Sequence, residues 1–142
     1  MREIREAIRV AFEGDDEIFN YCDPNFKGTI IEGLVANIEN KINEFIDFFN
    51  DTSFVRLMDD GKIIGYFFII KKPNILVSMG VNKKYRNAWV LSNVFNYIRE
   101  VFERDSFETL MWKRNTRAIN WLKKCGMKEC EFDDKYACKL KI

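Results

Sequence analysis

The chain has 142 residues, of which 47% are hydrophobic and 15% aromatic, thirteen of them Phe. That is the length of one domain with enough apolar surface for a packed core, which argues against a disordered chain. Nucleic acid is not indicated as a partner, and the net charge of +1 hides a division: residues 1–60 hold six Lys/Arg against fourteen Asp/Glu, and residues 61–142 hold seventeen against eight.

In chain order, residues 2–13 place Ile4, Ile8, Ala11 and Phe12 on one helical face, and Gly14 ends the helix. Residues 15–25 are acidic, carry Ile18, Phe19, Tyr21 and Cys22, and turn at Asp23-Pro24-Asn25; a short helix fits there. Thr29 with Glu32 forms a capping box. The helix it opens runs to about Phe49 with an apolar stripe of Ile31, Leu34, Val35, Ile38, Ile42, Phe45, Ile46 and Phe49. Residues 54–58 alternate as a strand, and Asp59-Asp60-Gly61-Lys62 forms a hairpin turn. Residues 63–70 are a nearly continuous apolar strand, and residues 75–81 a third, completing a meander. A helix follows over residues 88–104, with Leu91, Val94, Phe95, Ile98, Val101 and Phe102 inward.

Residues 108–113 read as a strand, Asn115 or Thr116 as a helix cap, and Ala118, Ile119, Leu122 and Cys125 as one helical face. Gly126 then stops the helix, residues 131–134 turn, and residues 136–142 alternate as a final strand. No run approaches the ~20 apolar residues of a membrane helix. Residues 1–10 lack the apolar centre of a signal peptide, so a cytoplasmic protein without a membrane partner is expected. There is no His, and Cys22, Cys125, Cys130 and Cys138 make no C-x-x-C pair. No metal site is expected, and the thiols read as small core residues.

Asn115, Ala118, Ile119, Trp121, Leu122, Lys124, Gly126 and Met127 resemble the C-terminal acyl-CoA motif of the GNAT acyltransferase superfamily. The resemblance covers residues 54–142. It implies a single α/β (α+β) domain with a central, mostly antiparallel sheet flanked by helices. Residues 1–50 would add helices where the family begins with a strand.

In that family the third strand and the loop after it hold the pantetheine and diphosphate of acetyl-CoA. The resemblance therefore assigns cofactor contacts to Val81, Lys84, Arg86 and Asn87, with Asn115 from the second motif. Arg86 matches the basic residue of the family's loop, while Asn87 and Trp89 stand where two glycines are usual. The family's acid, a Tyr in the final helix, falls on Leu122, and residues 63–70 and 75–81 offer no carboxylate base. In those strands only Tyr66 and Ser78 carry hydroxyls. These departures imply no catalytic residue and little or no acetyl-CoA binding.

Trp112, Asn115, Thr116, Ile119, Trp121, Leu122, Lys123 and Gly126 further resemble divergent GNAT-like proteins of bacteriophages. That likeness implies a non-catalytic component of a phage particle, in host cytoplasm or virion, contacting other protein subunits. The alternative is an N-acetyltransferase that moves an acetyl group from acetyl-CoA to an amine. The charge division fits a basic face for phosphates, attraction between the halves, or head-to-tail stacking of copies.

Overall fold

The computed structural model describes residues 2–15 and 52–142. The helices expected within residues 15–25 and 29–49, and Cys22, lie outside the described residues, apart from Asp15.

The first helix, α1, spans Arg2–Phe12 and closes at Gly14. Strands β1 (Thr52–Asp59), β2 (Lys62–Ile70) and β3 (Ile75–Val81) form the expected meander. In the β1–β2 turn Asp60 and Gly61 both have positive φ (49° and 76°), the conformation of a two-residue hairpin whose twist matches its strands. A short 3₁₀ turn at Lys83–Tyr85 leads to α2 (Ala88–Val101). Then come β4 (Glu108–Trp112), α3 (Thr116–Lys124), β5 (Lys128–Cys130) and β6 (Ala137–Lys141).

The strands form one six-stranded sheet in the order β1-β2-β3-β4-β6-β5. Every pairing is antiparallel except β3–β4. Successive strand residues point to opposite faces, so β2 supplies two cores. Tyr66, Phe68 and Ile70 meet Ile4, Ala7, Ile8 and Ala11 of α1. Phe67 and Ile69 meet Val94, Phe95 and Ile98 of α2 and Ile119 and Leu122 of α3. Phe102 and Phe107 stack beneath α2 with ring centroids 4.7 Å apart. This is the α/β architecture expected, and none of the described helices is long and apolar enough to cross a membrane.

Two local expectations change. The helix expected to reach Arg104 stops at Val101. Glu103 and Arg104 take left-handed backbone, and Arg104 N–H returns to Arg99 O at 2.8 Å. Such a stop is usually marked by Gly, which is missing here. Strand β5 was not foreseen because Lys128-Glu129-Cys130 has no strand pattern of its own; pairing with β6 makes it one. The thiols of Cys125 and Cys130 are half-buried and that of Cys138 is buried.

The approach to β6 rests on Asp134. Its carboxylate accepts from the N–H groups of Tyr136 (2.7 Å) and Ala137 (2.9 Å), and Lys113 Nζ donates to its backbone carbonyl. The Tyr136 bond first, then the Ala137 bond, hold the carboxyl below its ordinary range. A depressed carboxyl contributes fully above its unfolded value, roughly pH 4, and loses that contribution as pH falls through its folded value. An NMR titration should therefore give Asp134 a midpoint below about pH 4, with the Tyr136 amide shift following it; a midpoint at or above that value contradicts the arrangement.

Candidate functional site

Strands β3 and β4 begin side by side and then part. Their parallel register contains only Ile75↔Glu108 and Leu76↔Thr109. Thr109 Oγ1 donates to Leu76 O at 2.8 Å at the point of separation. The cause lies in the next residue. Between Phe68 and Ile69 of β2 the register shifts, so that Phe68 faces Ser78 while Ile69 faces Leu76, and Val77 is the extra residue of a bulge. A bulge bends its strand and raises the local twist. It swings residues 78–81 away from β4, and a cleft of about 380 Å³ opens between the strands.

Its floor and walls include Met79, Gly80, Val81, Leu110, Met111, Trp112, Ala118 and Trp121. Asn82 N–H donates to Ile64 O at 2.7 Å on the β2 side. By the alternation of a strand, Val81 and Met79 turn their backbone groups the other way, into the cleft. Arg86 Nε takes the Val81 carbonyl at 2.6 Å, which leaves the Met79 edge to pair with an extended ligand.

The mouth is charged. Arg86 Nη2 lies 2.8 Å from Asp15 Oδ2 and Arg117 Nη2 lies 3.9 Å from it, with the Asp15 side chain only 4% exposed. Arg86 Nη1 is buried without a hydrogen-bond partner. Nearby, Asn87 Oδ1 accepts from Val90 N–H at 3.0 Å and caps α2, whose leading N–H groups at Ala88 and Trp89 precede any helical acceptor. Such a helix start attracts anions. The arrangement can hold an extended chain along Met79 with an anionic group towards Arg86 and α2.

Of the residues assigned by resemblance, Val81, Arg86 and Asn115 line the cleft. Asn115 also caps α3 through Ala118 N–H at 3.2 Å. Lys84 and Asn87 are exposed at the loop and are not part of the lining. Asn87 is extended (φ −115°), not left-handed, because it serves as a helix cap. Trp89 is 76% exposed and stands outside the lining, so its side chain does not fill the place where a ligand would approach. Leu122 is fully buried in the α2–α3 core and reaches no cleft.

Three polar groups were not found in the sequence. Asp15 meets Arg86 across 71 positions and Arg117 across 102, and no local spacing signals such contacts. Asn82 Nδ2 donates to Val10 O at 2.7 Å and pins the end of α1 to the loop.

Tyr66 OH lies 2.7 Å from Ser78 Oγ. Burial pushes the phenol far above its usual range, with the Ser78 hydrogen bond a smaller opposing influence. A second concavity of about 390 Å³, between Lys71, Lys72, Asn74, Glu103, Asp105 and Ser106, lies at the far end of β3. It is a polar seam between two loops, tied by Asn74 Nδ2 to Ser106 O at 3.1 Å. Among the described residues no cluster of three His, Cys, Asp or Glu could hold a metal ion.

A model of the acetyltransferase (GNAT) family matches residues 16–127. A search of curated proteins found no match. Among solved structures, the PaiA N-acetyltransferase of Thermoplasma acidophilum in complex with coenzyme A superposes with a TM-score of 0.68 at 14% identity, covering 99% of this chain and 92% of that one. The spermidine N-acetyltransferase of Vibrio cholerae, in complex with CoA and spermine, gives 0.60 at 14% identity, with 100% and 90% covered. The microcin C7 self-immunity acetyltransferase MccE, in complex with acetyl-CoA and AMP, gives 0.66 at 11% identity, with 100% and 88% covered. At these identities the superpositions establish the fold.

Proposed function

We propose, from the premise that the chain belongs to the acetyltransferase (GNAT) family, that it transfers an acetyl group from acetyl-CoA to an amine. The observation that carries this is the parting of β3 from β4 at the Val77 bulge, which leaves the Met79 strand edge and Arg86 facing one cleft.

The residues present fit such a ligand. Met79 would pair with the amides of the pantetheine arm. Arg86 Nη1, buried and unpartnered, would meet a diphosphate oxygen, beside the α2 amides. Bound acetyl-CoA supplies the activated acetyl group. The apolar walls at Leu110, Met111 and Trp121 exclude water from it and so disfavour hydrolysis.

The resemblance to phage proteins suggested a non-catalytic particle component instead. That reading draws no support from the structures named above, which are acetyltransferases.

Titration calorimetry with acetyl-CoA should give saturable binding. Arg86→Ala should weaken it about tenfold or more, the loss of one charge-assisted hydrogen bond. Thiol release should follow when spermidine, glycine or a lysine-containing peptide is added. No heat with acetyl-CoA and no thiol release with any of the three amines overturns the proposal.

A further inference from the structure

Two hydroxyls of the cleft are joined, and one of them has capacity to spare. Tyr66 is fully buried. Its ring stacks on Phe54 at 5.5 Å and meets Phe12 edge-on at 6.3 Å, so the phenol oxygen is fixed in place, 2.7 Å from Ser78 Oγ. In such surroundings a phenol keeps its proton, because the phenolate would be stripped of solvent. Either hydroxyl can donate in this bond; with the buried phenol giving its proton to Ser78 Oγ, the one hydrogen-bond partner the structure shows for it, Ser78 Oγ accepts on one lone pair. Ser78 retains its own proton and a second lone pair, at a position lining the cleft. Thr109, the third hydroxyl among the described lining residues, commits its proton to Leu76 O. Leu122, where the resemblance would put an acid, lies in the core.

We propose that Ser78 is the catalytic residue that carries a proton from the attacking amine to the departing sulfur, with Tyr66 as the positioning residue that orients its hydroxyl. This rests on the acetyl-transfer reading above. In the step, the amine lone pair forms a C–N bond to the acetyl carbon. The C–S bond breaks and its electron pair goes to sulfur. Nitrogen must lose one proton and sulfur must gain one. Ser78 Oγ accepts the proton from nitrogen on its free lone pair and gives its own to sulfur, so the hydroxyl ends as it began. Tyr66 keeps its proton throughout, and no serine or tyrosine anion is required.

The test uses Ser78→Ala, Tyr66→Phe and the double variant, with the fastest of the three amines. Ser78→Ala should lower kcat about 100-fold, and Tyr66→Phe about tenfold, while acetyl-CoA affinity stays within about twofold of wild type. The double variant should match Ser78→Ala alone, since Tyr66 acts only through Ser78. With S-acetyl-4-nitrothiophenol as donor the thiolate leaves without needing a proton, and the Ser78→Ala defect should shrink to severalfold. A merely structural role for Ser78 would leave the defect the same for both donors. A wild type that turns over while Ser78→Ala is unimpaired, or equally impaired with both donors, overturns this assignment and leaves the acetyl-transfer reading standing. A wild type that binds acetyl-CoA but acetylates none of the amines, or does not bind it, overturns both.

Discussion

Gly65→Ala should lower the melting temperature by roughly 10 °C, a loss of about 3 kcal/mol for a domain of this size. Gly65 sits in the middle of β2, opposite Leu57 of β1 and Val81 of β3. A Cβ placed there would run into the Gly80 backbone carbonyl, with the Val81 Cα at 3.0 Å behind it. Backbone cannot rotate aside as a side chain can, so β3 must move relative to β2. Alanine's entropic advantage over glycine in a strand, about 0.5–1 kcal/mol, is too small to offset this. The displaced segment is residues 80–81, one wall of the cleft, so acetyl-CoA binding should fall with stability. A thermal melt by circular dichroism, with calorimetric titration of the same sample, reads both. An unchanged melt would mean that the two strands are not so close. Gly80→Ala offers a contrast: its Cβ would meet side chains, those of Phe12, Ala11 and Tyr66 at 2.8–3.1 Å, rather than backbone.

Asp15→Ala should cost about 3 kcal/mol, because it leaves Arg86 buried without its carboxylate. The Arg86 side chain is 17% exposed and Asp15 4% exposed, so water cannot readily replace either partner. The double variant Asp15→Ala/Arg86→Met should lose less stability than Asp15→Ala alone, since an apolar chain in that space carries no uncompensated charge. Both variants should bind acetyl-CoA more weakly than wild type, the first through a misplaced guanidinium and the second through its removal. Chemical denaturation of the set measures the coupling. A double variant that costs as much as the two single substitutions combined would show the pair to be independent.

The α1–loop junction explains why Asp15 matters beyond its own ion pair. Asn82 Nδ2 holds Val10 O, and Asp15 holds Arg86, so two contacts fix the end of α1 against the loop after β3. That loop carries both the Arg86 guanidinium and the Asn87 cap of α2. The acidic N-terminal part and the basic C-terminal part of the chain thus meet within one molecule at this point, one of the arrangements their opposite charges allowed.

Most elements were legible because their signals are local. Apolar spacing marked α1, the three strands of the meander and α3. The hydrogen bonds that bound them came from residues within a turn's reach: Asn115 to Ala118 N–H, and Gly126, whose φ of +105° suits a residue without a Cβ. The Asn115-to-Met127 pattern likewise pointed to the family before any pairing was known. What the sequence could not convey was the effect of distant backbone on ordinary residues. Trp89 suggested a blocked site because its position along the loop was known but its direction was not; at the second residue of α2 it faces solvent. Leu122 stood at the place of an acid in the family's motif, while its place on the apolar face of the helix already pointed it to the core, where it lies.

The sequence by itself determined most of the described elements, their order and the family, since helix and strand periodicity, capping and turn residues act over a few positions. Only the tertiary structure decided where chemistry could occur. The short parallel contact of β3 with β4, the Asp15–Arg86 pair and the Tyr66–Ser78 hydrogen bond join residues from 12 to 71 positions apart, and the bulge that ends the parallel contact depends on the pairing of β2 with β3. Such contacts depend on strand order and register, which arise when the two cores pack on opposite faces of one sheet, and no local spacing encodes them.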